Sequence, residues 1–211
     1  MQLDMTMANN LTLFKSALAN ALVGARGVAG IKVEAIEQII TNLRRKVDLE
    51  GELVPSVPQP KNPIDRELES AVEHALAADT DGSKAALINA IQRLAPALPW
   101  YSRACPEQPL FEVGHMNAEV LGDKGIERRS DLTVGVTIMA PNLTYPDHHH
   151  PPEEIYMVLS QGSWRQGATP WYEPGFGGYI YNPPNILHAI KSAETPLLAI
   201  WCLNSMTAQC R

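Results

Sequence analysis

Residues 145–156 read Tyr-Pro-Asp-His-His-His-Pro-Pro-Glu-Glu-Ile-Tyr, and His188 follows downstream. On a strand, residues two apart face the same way. His148 and His150 are therefore expected on one side, and His149 on the other. Glu154 and Tyr156 share a face at the start of the next strand, which turns Glu153 toward solvent. Pro151-Pro152 turns the chain between the two segments. His188 comes after Asn182-Pro-Pro-Asn, a turn that delivers it from a separate strand. Imidazole and carboxylate together suit one divalent transition metal: zinc, iron, manganese, cobalt or nickel. Four of the six histidines lie in these two places, which locates the chemistry here.

Around this stretch the apolar runs are short and broken by Gly and Pro. Leu132–Met139, Glu154–Leu159, Gly178–Tyr181, Ala189–Lys191 and Leu197–Leu203 read as strands of a sandwich or barrel. Before Pro99-Trp100 the period is helical instead. Leu11–Leu22 and Val33–Val47 carry apolar residues near i, i+3, i+4, i+7, with Gly51 a stop for the second. Asp65–Ala78 and Ser83–Leu94 read as two more helices, with Ser83 as an N-cap. Val54–Pro63 holds four prolines (Pro55, Pro58, Pro60, Pro63) and reads as a linker. The fold class is α+β, with a helical N-terminal region over 1–99 and a β-barrel over 100–211.

Composition narrows the function classes. A net charge of −6, with no Lys/Arg run in the motif-rich half longer than Arg128-Arg129, argues against nucleic acid as a partner. No apolar run reaches 18 residues, so no membrane span is expected. Residues 1–10 lack the charged and apolar regions of a secretory signal. Three cysteines (Cys105, Cys202, Cys210) form no Cys-x-x-Cys pair and fit a reducing cytosol, so the expected location is cytoplasmic. Cys105 and Cys202 read as buried thiols, and His74 and His115 as structural or surface residues. The helical stripes serve a monomer or a homodimer equally well.

The order His148-x-His150, three residues, Glu154, with a distant His188, resembles the two cupin motifs. The resemblance implies a double-stranded β-helix, or jelly roll, holding the metal. Gly177, Pro183 and His188 fit the second motif. Asn142 stands where the first motif opens on glycine, and its closing glycine, Gly162, is one position late. Asn185 replaces a glycine of the second motif, and Ser192 replaces its asparagine. More narrowly, Tyr145-x-x-His148-x-His150-x-x-x-Glu154-x-Tyr156 is similar to the cupin-type dimethylsulfoniopropionate (DMSP) lyases, the DddQ type in particular. That resemblance covers roughly residues 100–205. It implies His150, Glu154, His188 and Tyr156 as metal ligands, and Tyr145 and His148 as further active-site residues that contact substrate.

The chemistry agrees with the resemblance. Cleavage of DMSP to dimethyl sulfide and acrylate is a β-elimination that needs a base near the carbon beside the carboxylate. A bound cation stabilises the developing enediolate and favours a phenolate. Tyr156 is thus the expected base, with Tyr145 second. The partner is a small-molecule sulfonium carboxylate, whose cation suits an aromatic face. Trp164, Tyr179, Tyr181 and Trp201 are the candidates, although strand aromatics more often pack a core. Two alternatives stand beside this reading. One is a cupin dioxygenase using iron on a small organic acid or thiol; the other is a non-catalytic cupin that binds a small ligand.

Overall fold

A computed structural model describes residues 2–45 and 65–204. The helical region comprises α1 (Gln2–Leu22), α2 (Val33–Arg44), α3 (Asp65–Ala78) and α4 (Ala85–Leu94). Leu11, Phe14, Leu18 and Leu22 form the buried stripe of α1, and Leu87, Ile88, Ile91 and Leu94 that of α4. This is the 3.6-residue period read in the sequence. α1 extends well N-terminal to Leu11, through a polar turn that periodicity alone did not capture. Ser83 does not cap α4. The N-cap is Lys84, whose backbone N–H donates to Asp79 Oδ2 at 3.0 Å, while Ser83 N–H donates to Asp81 Oδ1 at 2.9 Å. The two carboxylates close the turn before the helix, and the Ser83 hydroxyl accepts from Lys84 Nζ at 2.9 Å instead of from the first helical N–H groups. Val47, Gly51, the linker Val54–Pro63 and Cys210 lie outside the described residues. No described helix is long and apolar enough to cross a membrane.

After a short helix, α5 (Pro109–Gly114), the chain forms eight strands. They are β1 (His115–Leu121), β2 (Leu132–Met139), β3 (Thr144–His148), β4 (Glu154–Val158), β5 (Gly162–Gln166), β6 (Tyr179–Asn182), β7 (His188–Ser192) and β8 (Leu197–Asn204). One sheet has the order β1-β2-β8-β4-β6 and the other β3-β7-β5. Every pairing of these strands is antiparallel. The larger sheet is buried on both faces. Its outer face presents Val134, Val136, Ile138, Leu198, Ile200 and Cys202 to a core shared with the helices. Its inner face presents Met139, Tyr156, Val158, Ile180, Ala199 and Trp201 to a second core between the sheets. Two apolar faces on one strand explain why β2 and β8 read as nearly continuous apolar runs rather than alternating ones.

Polar contacts at the rim fix the helices on the sheet. Arg129, buried beside Glu127, donates to the Asn42 carbonyl at 3.0 Å, and Lys15 pairs with Glu127 at 2.6 Å. Asn204 Nδ2 donates to the Ala35 carbonyl at 3.2 Å. Strand β1 was not anticipated, and β3 and β5 were placed only through His148 and Trp164, not as apolar runs. β1 carries Asn117 and Glu119, β3 carries Pro146 and Asp147, and β5 opens on Gly162; each dilutes the apolar signal.

The two asparagines at glycine positions of the motif have a common cause. Asn142 has φ +57° and Asn185 φ +60°, the left-handed region that asparagine tolerates best after glycine. The turns kept their backbone shape while losing their glycines. Ser192, where the motif has asparagine, ties β7 to the start of β3. Its Oγ donates to the Ala140 carbonyl at 2.6 Å and accepts from Leu143 N–H at 2.8 Å.

Candidate metal centre and cavity

The mouth of the barrel holds a cavity of about 460 Å³ whose wall includes Tyr145, His148, His150, Glu154, Tyr156 and Trp201. Sheet register sets this up. Gly135, Trp201 and Tyr156 lie side by side across β2, β8 and β4. The Trp201 indole lies over Gly135, where an added Cβ would fall 2.1 Å from the ring. Only glycine leaves room for the indole to lie flat on the sheet.

Strand β3 is irregular. Tyr145 pairs with Ile190 and His148 with His188, so three residues on β3 span two on β7. This bulge puts Tyr145 and His148 on the same wall although their spacing is odd. Simple alternation would have separated them. Beyond the end of β3, His149 is exposed and His150 turns inward. Glu153 is not solvent-facing as expected; it is half-buried and accepts from the Tyr181 hydroxyl at 2.7 Å and Asn204 Nδ2 at 2.9 Å. Its alternation partner, Glu154, is buried in the cavity wall as read.

His150, Glu154 and His188 bring one ligand atom each within 4.8 Å of one another. Each histidine has its ring oriented by a backbone carbonyl. Nδ1 of His148 donates to Pro146 at 2.9 Å, that of His150 to Pro152 at 2.9 Å, and that of His188 to Ile186 at 3.0 Å. Since a carbonyl only accepts, the proton sits on Nδ1 and the Nε2 lone pair is free. His150 Nε2 and His188 Nε2 then face the same Glu154 oxygen at 3.2 and 3.4 Å. His188 Nε2 is buried and has no hydrogen-bond partner. Three electron-rich atoms converging on one point, one of them orphaned, fit a divalent cation. His148 lies beside this group, its ring 4.1 Å from that of His188.

Electrostatics follow from burial and from Glu154. Burial, then the neighbouring His188, lowers His148 to about 3. Burial also lowers His188, with Glu154 opposing. For His150, burial is outweighed by the Glu154 carboxylate and the pKa rises. Burial and then the Glu154 charge push Tyr156 well above the usual phenol range. Burial raises Tyr145 too, but Arg103 and Asn117 pull the other way.

Other expected residues fall elsewhere. Tyr179 is outside this cavity; its side chain packs toward the helices and its hydroxyl donates to the Ala21 carbonyl at 2.5 Å. Trp164 is fully buried behind Tyr156, with ring centroids 6.3 Å apart, and does not line the wall. Tyr181 turns outward to Glu153. Trp201 does line the cavity. Cys202 is buried as read, and Cys105 is only half-buried.

Several residues at the site escaped sequence reasoning. Asn182, paired directly across from Glu154, donates to its Oε2 at 2.8 Å. Gln166 Nε2 donates to Asn182 Oδ1 at 2.6 Å and so fixes which way that amide points. Tyr101, Arg103, Asn117 and Thr137 complete the wall of the cavity. The alternating Asn117 and Glu119 in an otherwise apolar segment were the available signal for β1.

The DMSP lyase family matches residues 35–199 of this chain. The chain belongs to the DMSP lyase family. A curated relative, the DMSP lyase DddQ of Ruegeria pomeroyi, is 29% identical over 82 residues, which is 38% of this chain and 41% of that protein. The match therefore spans less than half of the relative's length. Two solved structures share the whole architecture. One, described as DMSP lyases RdDddP and RnDddQII, has a TM-score of 0.69 at 18% identity and covers 97% of both chains. The other, DMSP lyase DddQ from Ruegeria pomeroyi DSS-3, has a TM-score of 0.60 at 21% identity and covers 94% of both. Helices followed by a cupin barrel are thus the fold of this family member, as the motif spacing implied.

Proposed function

We propose that the protein cleaves DMSP to dimethyl sulfide and acrylate by a β-elimination at this cavity. The observation that carries the reading is the convergence of His150, Glu154 and His188 on one point, with Tyr156 and Tyr145 on the same wall. Family membership supports the substrate. In this reading the barrel, 100–211, carries the reacting residues, and the helical region, 1–99, buttresses its outer face.

His150, Glu154 and His188 would hold a divalent metal, with the Tyr156 oxygen as a further ligand. Such an ion supplies Lewis acidity toward the substrate carboxylate and lowers the pKa of nearby phenols. Tyr156 is the general base. Its oxygen takes the proton from the carbon next to the carboxylate; the C–H electron pair becomes the new C=C bond, and the C–S pair leaves with sulfur. Dimethyl sulfide departs as a neutral molecule, so no acid is needed at the leaving group. His148 and Tyr145 line the substrate side, where a neutral imidazole and a hydroxyl orient the carboxylate end. Trp201, flat over Gly135, offers an aromatic face to the sulfonium.

The test is to incubate metal-loaded protein with DMSP under nitrogen and assay headspace dimethyl sulfide and acrylate. Equal amounts of both are expected. Tyr156→Phe should retain the fold and lose turnover by a factor on the order of 10² or more. Absence of both products across zinc, iron, manganese, cobalt and nickel would rule the reading out. Turnover that appeared only once air was admitted would replace it with an oxidative one.

A further inference from the structure

The wall of the cavity also carries one Lys/Arg side chain, the exposed Arg103, close enough for its charge to act on His148 and His188. The chain segment that carries it is pinned to β1. Tyr101 and Asn117 exchange two backbone hydrogen bonds of 2.8 Å. Two residues on, the Arg103 N–H donates to His115 Nε2 at 2.9 Å. His115 itself is fully buried, donates Nδ1–H to the Phe111 carbonyl at 2.5 Å and stacks on the Phe111 ring at 3.7 Å. Its two ring nitrogens are thus both used, one as donor and one as acceptor, which defines a neutral tautomer. A buried imidazole with both ends committed is a rigid clamp for the backbone of Arg103.

The guanidinium lacks a carboxylate partner among the described residues. Arg129 is paired with Glu127 and Asp131, and Arg165 with Asp147. Arg103 instead faces the Tyr145 hydroxyl, beside Asn117, on the cavity wall. A guanidinium with a fixed backbone, lining a cavity and free of carboxylates, matches the fork geometry of a substrate carboxylate. It also repels a sulfonium, so it gives a zwitterion one preferred direction.

We propose that Arg103 is a carboxylate-recognising residue of the cavity, held in place by His115 and acting beside Tyr145, and that it selects small monocarboxylates over neutral compounds of the same shape. The proposal rests on the reading above for the identity of the substrate, but not for the binding of a carboxylate. It assigns Arg103 to substrate binding and His115 to positioning.

The test compares propionate with propionamide, isosteres that differ in charge, by calorimetric titration of metal-loaded wild-type protein, Arg103→Gln and Arg103→Lys. Metal content and near-UV circular dichroism serve as controls for an intact site. Arg103→Gln should weaken propionate by about tenfold or more and leave propionamide unchanged, since a charge-assisted bond is being removed. Arg103→Lys should fall between, keeping the charge and losing the fork. With DMSP as substrate, KM should rise by a similar factor in Arg103→Gln while kcat moves less than about threefold. If wild-type protein leaves DMSP intact yet binds propionate through Arg103, the lyase reading fails and the carboxylate site stands. Propionate affinity within twofold of wild type in a folded, metal-loaded Arg103→Gln protein overturns the proposal. So does an equal loss for propionate and propionamide, which is the mark of a merely structural role.

Discussion

The two faces of the five-stranded sheet are built from the same strands and obey different rules. The outer face is apolar and meets helices; Ile155, Met157, Ile200 and Cys202 continue a core that begins in α1 and α2. The inner face alternates with it residue by residue and carries Glu154, Tyr156, Trp201 and Thr137. Outer positions need volume and hydrophobicity, which many residues supply. Inner positions need a particular atom at a particular place. Stability and chemistry are therefore separable on a single strand, one residue apart.

Substitutions on opposite faces should test this separation. The largest effect belongs to Glu154→Ala on the inner face. Metal affinity should drop by a factor on the order of 100 or more and turnover should reach background, with little loss of thermal stability. Metal analysis after dialysis, run beside a melting curve, checks both halves of that statement. On the neighbouring strand and the opposite face, Ile200→Ala should do the reverse. It removes a fully buried side chain from the helix-facing core and should cost about 2–5 kcal/mol in urea unfolding. The folded fraction should keep its metal.

Acid should act through the inner face. His148 is held at about 3 by burial and by His188, whereas an unfolded histidine titrates near 6.5. Below about 6.5 the unfolded chain takes up a proton that the folded one refuses, so stability falls as pH drops from there toward 3. His188 and His115 are lowered as well and act in the same direction, while His150, raised by Glu154, opposes them. Unfolding free energies of metal-free protein at several pH values should show this loss, on the order of a few kcal/mol. His148→Gln should flatten the curve; an unchanged curve would place the acid sensitivity elsewhere.

Asn182→Ala should weaken metal binding about tenfold by releasing Glu154, without abolishing it. The smallest effect is expected on the outer surface. Arg26 and Glu37 pair at 2.5 Å but are both exposed, so Arg26→Ala should change the unfolding free energy by less than about 1 kcal/mol.

What could be read in the sequence followed the same division. The helical stripes and the strands β2, β4 and β8 were legible because burial writes a pattern over many residues. The grouping of His150, Glu154 and His188 was legible because histidine and glutamate are rare in such a pattern. The rest of the wall was not. Arg103, Asn117 and Thr137 reach the cavity through sheet register and a loop pinned by His115, and none of them repeats at a local period. Tyr179 misled for the opposite reason: an aromatic on a strand is equally frequent on either face, and only the helices packed over β6 decide its direction. The N-cap at Ser83 failed because two aspartates close the turn around it and the helix starts one residue later, with Lys84 at the N-cap.

The bulge in β3 has a consequence for tolerance to insertion and deletion. Between Tyr145 and His148 the strand is out of phase with its neighbour by one residue. Deleting Pro146 or Asp147 would make the ladder regular and would look harmless as a loop edit. It would also keep Tyr145 and His148 on the same cavity wall, now two residues apart, because the bulge is what absorbs their odd spacing. Deleting both would make Tyr145 and His148 neighbours on a regular strand and turn the tyrosine to the opposite side, so a two-residue gap in this segment of a relative would mark a protein that keeps the His/Glu cluster and lacks the second tyrosine.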